Sequence, residues 1–430
     1  MNVRRILTAV AGLAALGAVL TAAAPSAANN ATPMPRTAAA VWEASLGGVH
    51  DTAPDSTVRE IARVSVAGTG IRVRLGNPYG AAPVVVKDAW LGRPTAPGSA
   101  TLIPGSNRQL TFHGSGTVSI PPGQEVYSDR VPITVAAQQD LAVSIYAPGS
   151  PVDDQDFPAY AYDPPASFVG TGGDTAAEAS DAAFPNHPIF VGDSPSPAVG
   201  YHPGQIWWMD LVTADVPAAR GTVVTLGDSI TAGHNAYGPP GQRWTDILAD
   251  RLGALPSGRR LAVANAGISG NTVSVQPNPY DPTGNCCGAP APQRLDRDVL
   301  SVPGVRTVIL LEGTNDLGGG TNAAPAPASQ VIDAMTSIVA RVHARHLRIV
   351  GATILPMCNA AGSDKENARL AVNDWIRTSG TFDAVLDFDV VLRDPGDPTV
   401  MIPDLKNDCY HPDAAGDALL GQSIPLSYLG

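Results

Sequence analysis

Residues 222–233 read TVVTLGDSITAG. A run rich in β-branched side chains leads into Gly227-Asp228-Ser229, and no proline follows until Pro239. An apolar strand that ends on Gly-Asp-Ser and passes into a helix start belongs to an alternating β/α region. The same tripeptide occurs again in IFVGDSPSP, residues 189–197, where Ser194 is followed by Pro195 and Pro197. Proline disfavours helical backbone in the residue before it. That second copy therefore reads as a turn in which Asp193 and Ser194 bond local backbone. Ser229 is the serine placed at the carboxyl end of a strand.

Working outward from residue 222, the same rhythm continues. LAVANAG (261–267), RTVILLEG (306–313), RIVGATILP (348–356) and FDAVLDF (382–388) are short apolar runs. Helical spacing separates most of them: Trp244, Ile247, Leu248 and Leu252; then Val331, Met335, Ile338 and Val342; then Ala368, Ala371, Val372, Trp375 and Ile376 behind a Ser363/Glu366 capping box. Alternating β and α units imply a parallel sheet covered on both faces. Before residue 217 the period is two. REIARVSVAG, GIRVRLGN and DLAVSIYAPG are short strands punctuated by Gly and Pro, which predicts an antiparallel β-sandwich over residues 41–216. QIWWMDLVTADV closes it, and strand alternation puts one of Trp207 and Trp208 inside and the other outside. Residues 148–203 read as a long irregular connection within that domain. The second domain is residues 217–430.

Residues 1–28 read as a signal peptide: MNVRR supplies charge, ILTAVAGLAALGAVL is apolar, and TAAAPSAA offers cleavage after Ala24 or Ala28. No later span is long and apolar enough to cross a bilayer, so no stable membrane insertion is expected after cleavage. The net charge of −12 leaves no basic surface to displace phosphate counterions, which argues against nucleic acid as a partner. The four cysteines, Cys286, Cys287, Cys358 and Cys409, favour two disulfides in a secreted, extracellular protein. A vicinal Cys286–Cys287 bond is geometrically awkward, so each is expected to reach elsewhere. The cysteine spacing matches no zinc motif, and neither metal nor cofactor is expected.

In open α/β sheets, ligands bind beyond the carboxyl ends of the strands. Four segments reach that edge: Gly227-Asp228-Ser229, NAGISGN (265–271), GTND (313–316) and DCYH (408–411). A serine hydroxyl needs a base to become a nucleophile, and His411 can supply one. Asp408, three residues earlier, can bend back to Nδ1 of His411 and set its tautomer. The oxyanion formed on attack needs donors: the N–H of Ser229, the N–H of Gly267 and the side-chain amide of Asn315. Asp228 and Asp316 are expected to hold loop backbone. Asn271 is either a scaffold or part of the pocket. His234 meets substrate or solvent, and His343 and His346 sit on a helix surface.

These four blocks, in this order, resemble the SGNH hydrolase superfamily, also called GDSL esterases and lipases. The resemblance covers the C-terminal half, and Ile230 stands where the family name has Leu. It implies a three-layer α/β/α domain with a flavodoxin-like parallel sheet, with Ser229 as nucleophile, His411 as base, Asp408 as its orienter, and Ser229, Gly267 and Asn315 as oxyanion donors. The front half is similar to the β-sandwich that precedes this domain in some secreted bacterial members. The expected activity is hydrolysis of carboxylic esters, short-chain or acetyl, on a small-molecule or polysaccharide substrate. The alternatives are lipid ester hydrolysis of a lipase or phospholipase type, and a carbohydrate-binding protein in which the sandwich is the active part. A glycosidase would need two facing carboxylates, and no motif nominates a pair.

Overall fold

The computed structural model describes residues 37–155, 167–184, 206–234, 241–274, 287–318 and 324–430. Ser194 and Cys286, and the expectations attached to them, lie outside these residues.

The C-terminal half is built on five parallel strands: Ala219–Gly227, Arg260–Gly267, Val305–Leu311, Arg348–Ala352 and Ala384–Leu386. Their spatial order is second, first, third, fourth, fifth, the flavodoxin-like arrangement. Strand pleating sends successive side chains to opposite faces. Val224, Val308, Leu310 and Ile349 pack on one face with Val331, Met335 and Ile338 of helix Ala328–Ala344 and with Val372 and Ile376 of helix Asp364–Thr378. Val223, Ile309, Leu311 and Val350 pack on the other face with Trp244, Leu248 and Leu252 of helix Trp244–Gly253 and with Leu420 of helix Ala414–Ser423. The three-layer α/β/α domain follows from that alternation. At the start of Asp364–Thr378 the capping box is half made. Ser363 Oγ accepts the Glu366 N–H, while the Glu366 carboxylate turns to the buried Arg369.

The front half is antiparallel throughout its two five-stranded sheets. One sheet carries Ala38–Glu43, Met209–Asp215 and Gly68–Asn77; the other carries Thr57–Arg63, Asp140–Tyr146 and Asp88–Gly92. Their inner faces share one core, with Ile71 and Val73 from the first sheet and Leu91, Leu141, Val143 and Ile145 from the second. The expected irregular connection is not uniformly irregular: strands Pro151–Gln155 and Ser167–Val169 fall within it. The two tryptophans also depart from expectation. Trp207 and Trp208 are both buried, 2% and 1% exposed, and meet edge to face at 5.7 Å. Trp208 has φ 58°, which breaks the strand alternation that would have turned one ring outward. No stacking platform for sugars is formed by this pair.

Antiparallel pairing ends at Asp215, and the parallel sheet begins four residues later at Ala219. The two halves nevertheless share one compact unit. Ala40 N–H donates to Pro303 O at 2.9 Å, Val263 N–H donates to Ser65 Oγ at 3.0 Å, and Ala44 bridges Asn265.

Candidate active site

Gly227, the last residue of the central strand, is level with Gly267 on one side and Leu311 on the other. Three chain segments therefore leave the sheet at one height. The first enters helix Ser229–Ala232, whose N-cap is Asp228, accepting the Ile230 N–H at 3.0 Å. The cap duty thus falls to the aspartate, and the Ser229 hydroxyl is left for another partner. Ser229 Oγ lies 2.9 Å from His411 Nε2. His411 Nδ1 lies 2.9 Å from Asp408 Oδ2 and 3.1 Å from Oδ1. Hydroxyl, imidazole and carboxylate form one continuous hydrogen-bonded line across 182 residues of sequence.

Asp408 reaches Nδ1 because its own loop is tied. Its Oδ1 accepts the backbone N–H groups of Tyr410 and His411, each at 2.7 Å. Partial burial works against its charge, but the His411 bond and these two N–H groups prevail and hold its pKa down at about 2. Asp408 is therefore an anion at any ordinary working pH. Cys409 in the same loop is bonded to Cys358, with Cα atoms 5.3 Å apart. This bridge closes 51 residues of chain, worth about 4 kcal/mol in unfolded-chain entropy. Replacing both Cys358 and Cys409 with Ser is expected to lower stability by about 2–4 kcal/mol in urea melts. A midpoint unchanged from wild type would show that the bond does not restrain the unfolded chain.

The structure adds a residue at the site whose role the sequence left open. Gly233, with φ 100°, ends the short helix in the left-handed region that glycine tolerates. Both Gly233 and His234 then donate backbone N–H to Ser229 O at 2.9 Å. This tight return sets the His234 ring against His411, centroids 4.4 Å apart. Burial first, and the neighbouring imidazole second, lower the His234 pKa to about 4, so it stands beside His411 as a neutral ring.

The expected oxyanion donors fare differently. Asn315 is 3% exposed and gives one amide hydrogen to Asn271 O at 2.8 Å, leaving its second hydrogen. Gly267 donates its N–H to Asn265 Oδ1 at 2.9 Å, so that hydrogen is already engaged within the protein. Glycine is needed at 267 for close packing: a Cβ there would stand 2.3 Å from Ala232 N, where helix Ser229–Ala232 crosses the strand end.

Asn271 is a scaffold. Its amide nitrogen donates to Cys287 O and Ala289 O at 2.6 and 2.9 Å, and its Oδ1 accepts Arg294 Nε at 2.9 Å. Arg294 is a residue the sequence gave no reason to choose. Fully buried, it donates to Gly227 O and Ala266 O and pairs with Asp298, so it holds the strand end from which Ser229 departs. Around it lie buried carboxyls. Burial pushes Asp228 up to about 6, against the pull of the Ile230 N–H, and pushes Glu312 well above its ordinary range. Asp316 accepts from the N–H groups of Val273 and Ser274 and the Ser274 hydroxyl, holding that loop. His343 pairs with Asp383 at the surface, Nε2 to Oδ2 3.1 Å. Among the described residues, no group of three or more His, Cys, Asp or Glu side chains could hold a metal ion, and no helix is long and apolar enough to cross a membrane.

Residues 225–419 match the model of the GDSL-like lipase/acylhydrolase family. A search of curated proteins found no match. Among solved structures the chain is similar to Axe2, an acetylxylan esterase from Geobacillus stearothermophilus, at 19% identity and TM-score 0.37, covering 50% of this chain and 96% of that one. It is also similar to a GDSL-like lipase from Bacteroides thetaiotaomicron, at 16% identity and TM-score 0.35, covering 49% and 88%. The C-terminal half of the chain therefore carries a GDSL-like lipase/acylhydrolase domain.

Proposed function

We propose that the protein is a secreted serine esterase that cleaves short-chain carboxylic esters, acetyl esters of carbohydrate among them, through an acyl-enzyme on Ser229. The observation that carries this reading is the alignment of Ser229 Oγ, His411 and Asp408 at 2.9 Å and 2.9 Å. Ser229 attacks the ester carbonyl as its proton passes to His411 Nε2. The negative charge moves to the carbonyl oxygen, where the Ser229 N–H and the second amide hydrogen of Asn315 donate to it. Gly267 can join them only by releasing Asn265. Collapse expels the alcohol, which takes the proton from His411. Water then attacks the acyl-enzyme, gives its proton to His411, and releases the carboxylic acid with Ser229 restored. Asp408, anionic throughout, keeps the Nδ1 proton in place and offsets the imidazolium charge.

Export is supported by the Cys358–Cys409 bridge, since such bonds persist in oxidising compartments. The short-acyl preference is supported by the polar neighbourhood: His234 and Tyr410 flank His411, and Asn315 rises from the adjoining loop. A series of p-nitrophenyl esters from acetate to palmitate tests it. The expected result is a maximum of kcat/KM at acetate to butyrate. A maximum at palmitate would replace this reading with that of a lipase.

A further inference from the structure

We propose that Tyr79, in the N-terminal sandwich, is a positioning residue for the ester-cleaving site, acting through Ala289, Asn271 and Asn315; this rests on the reading of Asn315 as an oxyanion donor. Tyr79 follows the strand Gly68–Asn77, and its own N–H is anchored on Asp153 Oδ2 at 2.6 Å. Its phenol oxygen accepts the Ala289 N–H at 2.9 Å. Next to it, Gly288 N–H donates to Gly47 O at 2.7 Å, so two sandwich loops seat the segment 287–291. The Arg297 guanidinium stands 5.1 Å from the Tyr79 ring centroid and donates to Leu46 O and to the phenol oxygen.

From this seat the path to the site is short. Ala289 O accepts the Asn271 amide at 2.9 Å, and Asn271 O accepts the Asn315 amide at 2.8 Å. Asn271 is completely buried, and its amide nitrogen and Oδ1 are both engaged. It therefore has no freedom to absorb a shift of the 287–291 segment without passing it on. Asn315 has one hydrogen held by Asn271 and the other for the oxyanion, so its aim depends on where Asn271 O sits. A donor aimed at developing charge contributes to the transition state far more than to substrate binding. The front half is thus part of the catalytic scaffold.

The test is a double-mutant cycle of Tyr79→Phe and Asn315→Ala on a short p-nitrophenyl ester. Phenylalanine keeps the ring beside Arg297 and removes the hydroxyl that accepts from Ala289 and Arg297. Tyr79→Phe is expected to lower kcat by about 5- to 50-fold with KM within about twofold and a melting temperature close to wild type. Asn315→Ala alone is expected to lose about 10²–10³ in kcat. In that background Tyr79→Phe should cost less than about twofold more, because its route to the reaction is gone. An equal loss in both backgrounds, or no loss of kcat in Tyr79→Phe alone, overturns the proposal. If Asn315→Ala keeps the wild-type kcat, the oxyanion reading beneath it falls instead, and the proposal with it.

Discussion

Ser229→Ala is expected to lower kcat on short p-nitrophenyl esters by about 10⁴–10⁶, with folding unaffected. The second half of that expectation matters as much as the first. A serine at the start of a helix is an ordinary capping residue, and losing a cap costs about 1 kcal/mol. Here the cap is Asp228, whose Oδ1 accepts the Ile230 N–H at 3.0 Å. Ser229 is the first residue inside the helix, a position where alanine is favourable. Its hydroxyl has His411 Nε2 as partner at 2.9 Å. Alanine therefore removes the proposed nucleophile and leaves the local structure intact. Residual hydrolysis above the rate in water should persist, because the oxyanion donors still bind the transition state when the nucleophile is gone. Wild-type turnover in Ser229→Ala, beside an unchanged melting curve, would remove Ser229 from the reaction.

The sequence carries the scaffold of this site better than its supports. Strand-to-helix punctuation around 222–233, and the alternation of short apolar runs with helically spaced segments after it, are local patterns. They placed Ser229 at a strand end and the helices on two faces, as observed. The spacing of Asp408 and His411 is local too, and the Asx-type turn through the Tyr410 and His411 N–H groups realises it. Arg294 and Tyr79 left no such mark. Each acts by hydrogen bonds to backbone far away in sequence, Arg294 to Gly227 and Tyr79 to Ala289, and a backbone group has no residue type to read. Gly267 shows the same limit. Glycine there was legible as a point of close approach, but not whether its N–H or its missing side chain was the reason. The missing side chain is required in any case, because the Ala232 backbone fills the space. Trp208 misled because alternation assumes an unbroken strand, and its left-handed φ interrupts it.

Asp408→Asn is expected to lower kcat by about 10⁴ while the loop keeps its shape. The asparagine carbonyl can still accept the Tyr410 and His411 N–H groups that Asp408 Oδ1 accepts now, and the Cys358–Cys409 bridge still pins the turn. Its amide group then faces His411 Nδ1. An amide N–H donates, so Nδ1 must accept and the ring proton moves to Nε2. A protonated Nε2 cannot take the proton of Ser229, so the histidine is in place but in the wrong tautomer. The pH profile separates this from a loss of charge alone. The folded-state pKa of Asp408 is about 2, below the ordinary aspartate value of about 3.9. Its carboxylate is thus ionised throughout the range of assay, so protonation of Asp408 does not shape the wild-type profile there. Asp408→Asn should therefore be slow at every pH from about 5 to 9, not merely displaced along the axis. A variant that regained the wild-type kcat at some pH in that range would show that Asp408 tunes His411 without setting its tautomer.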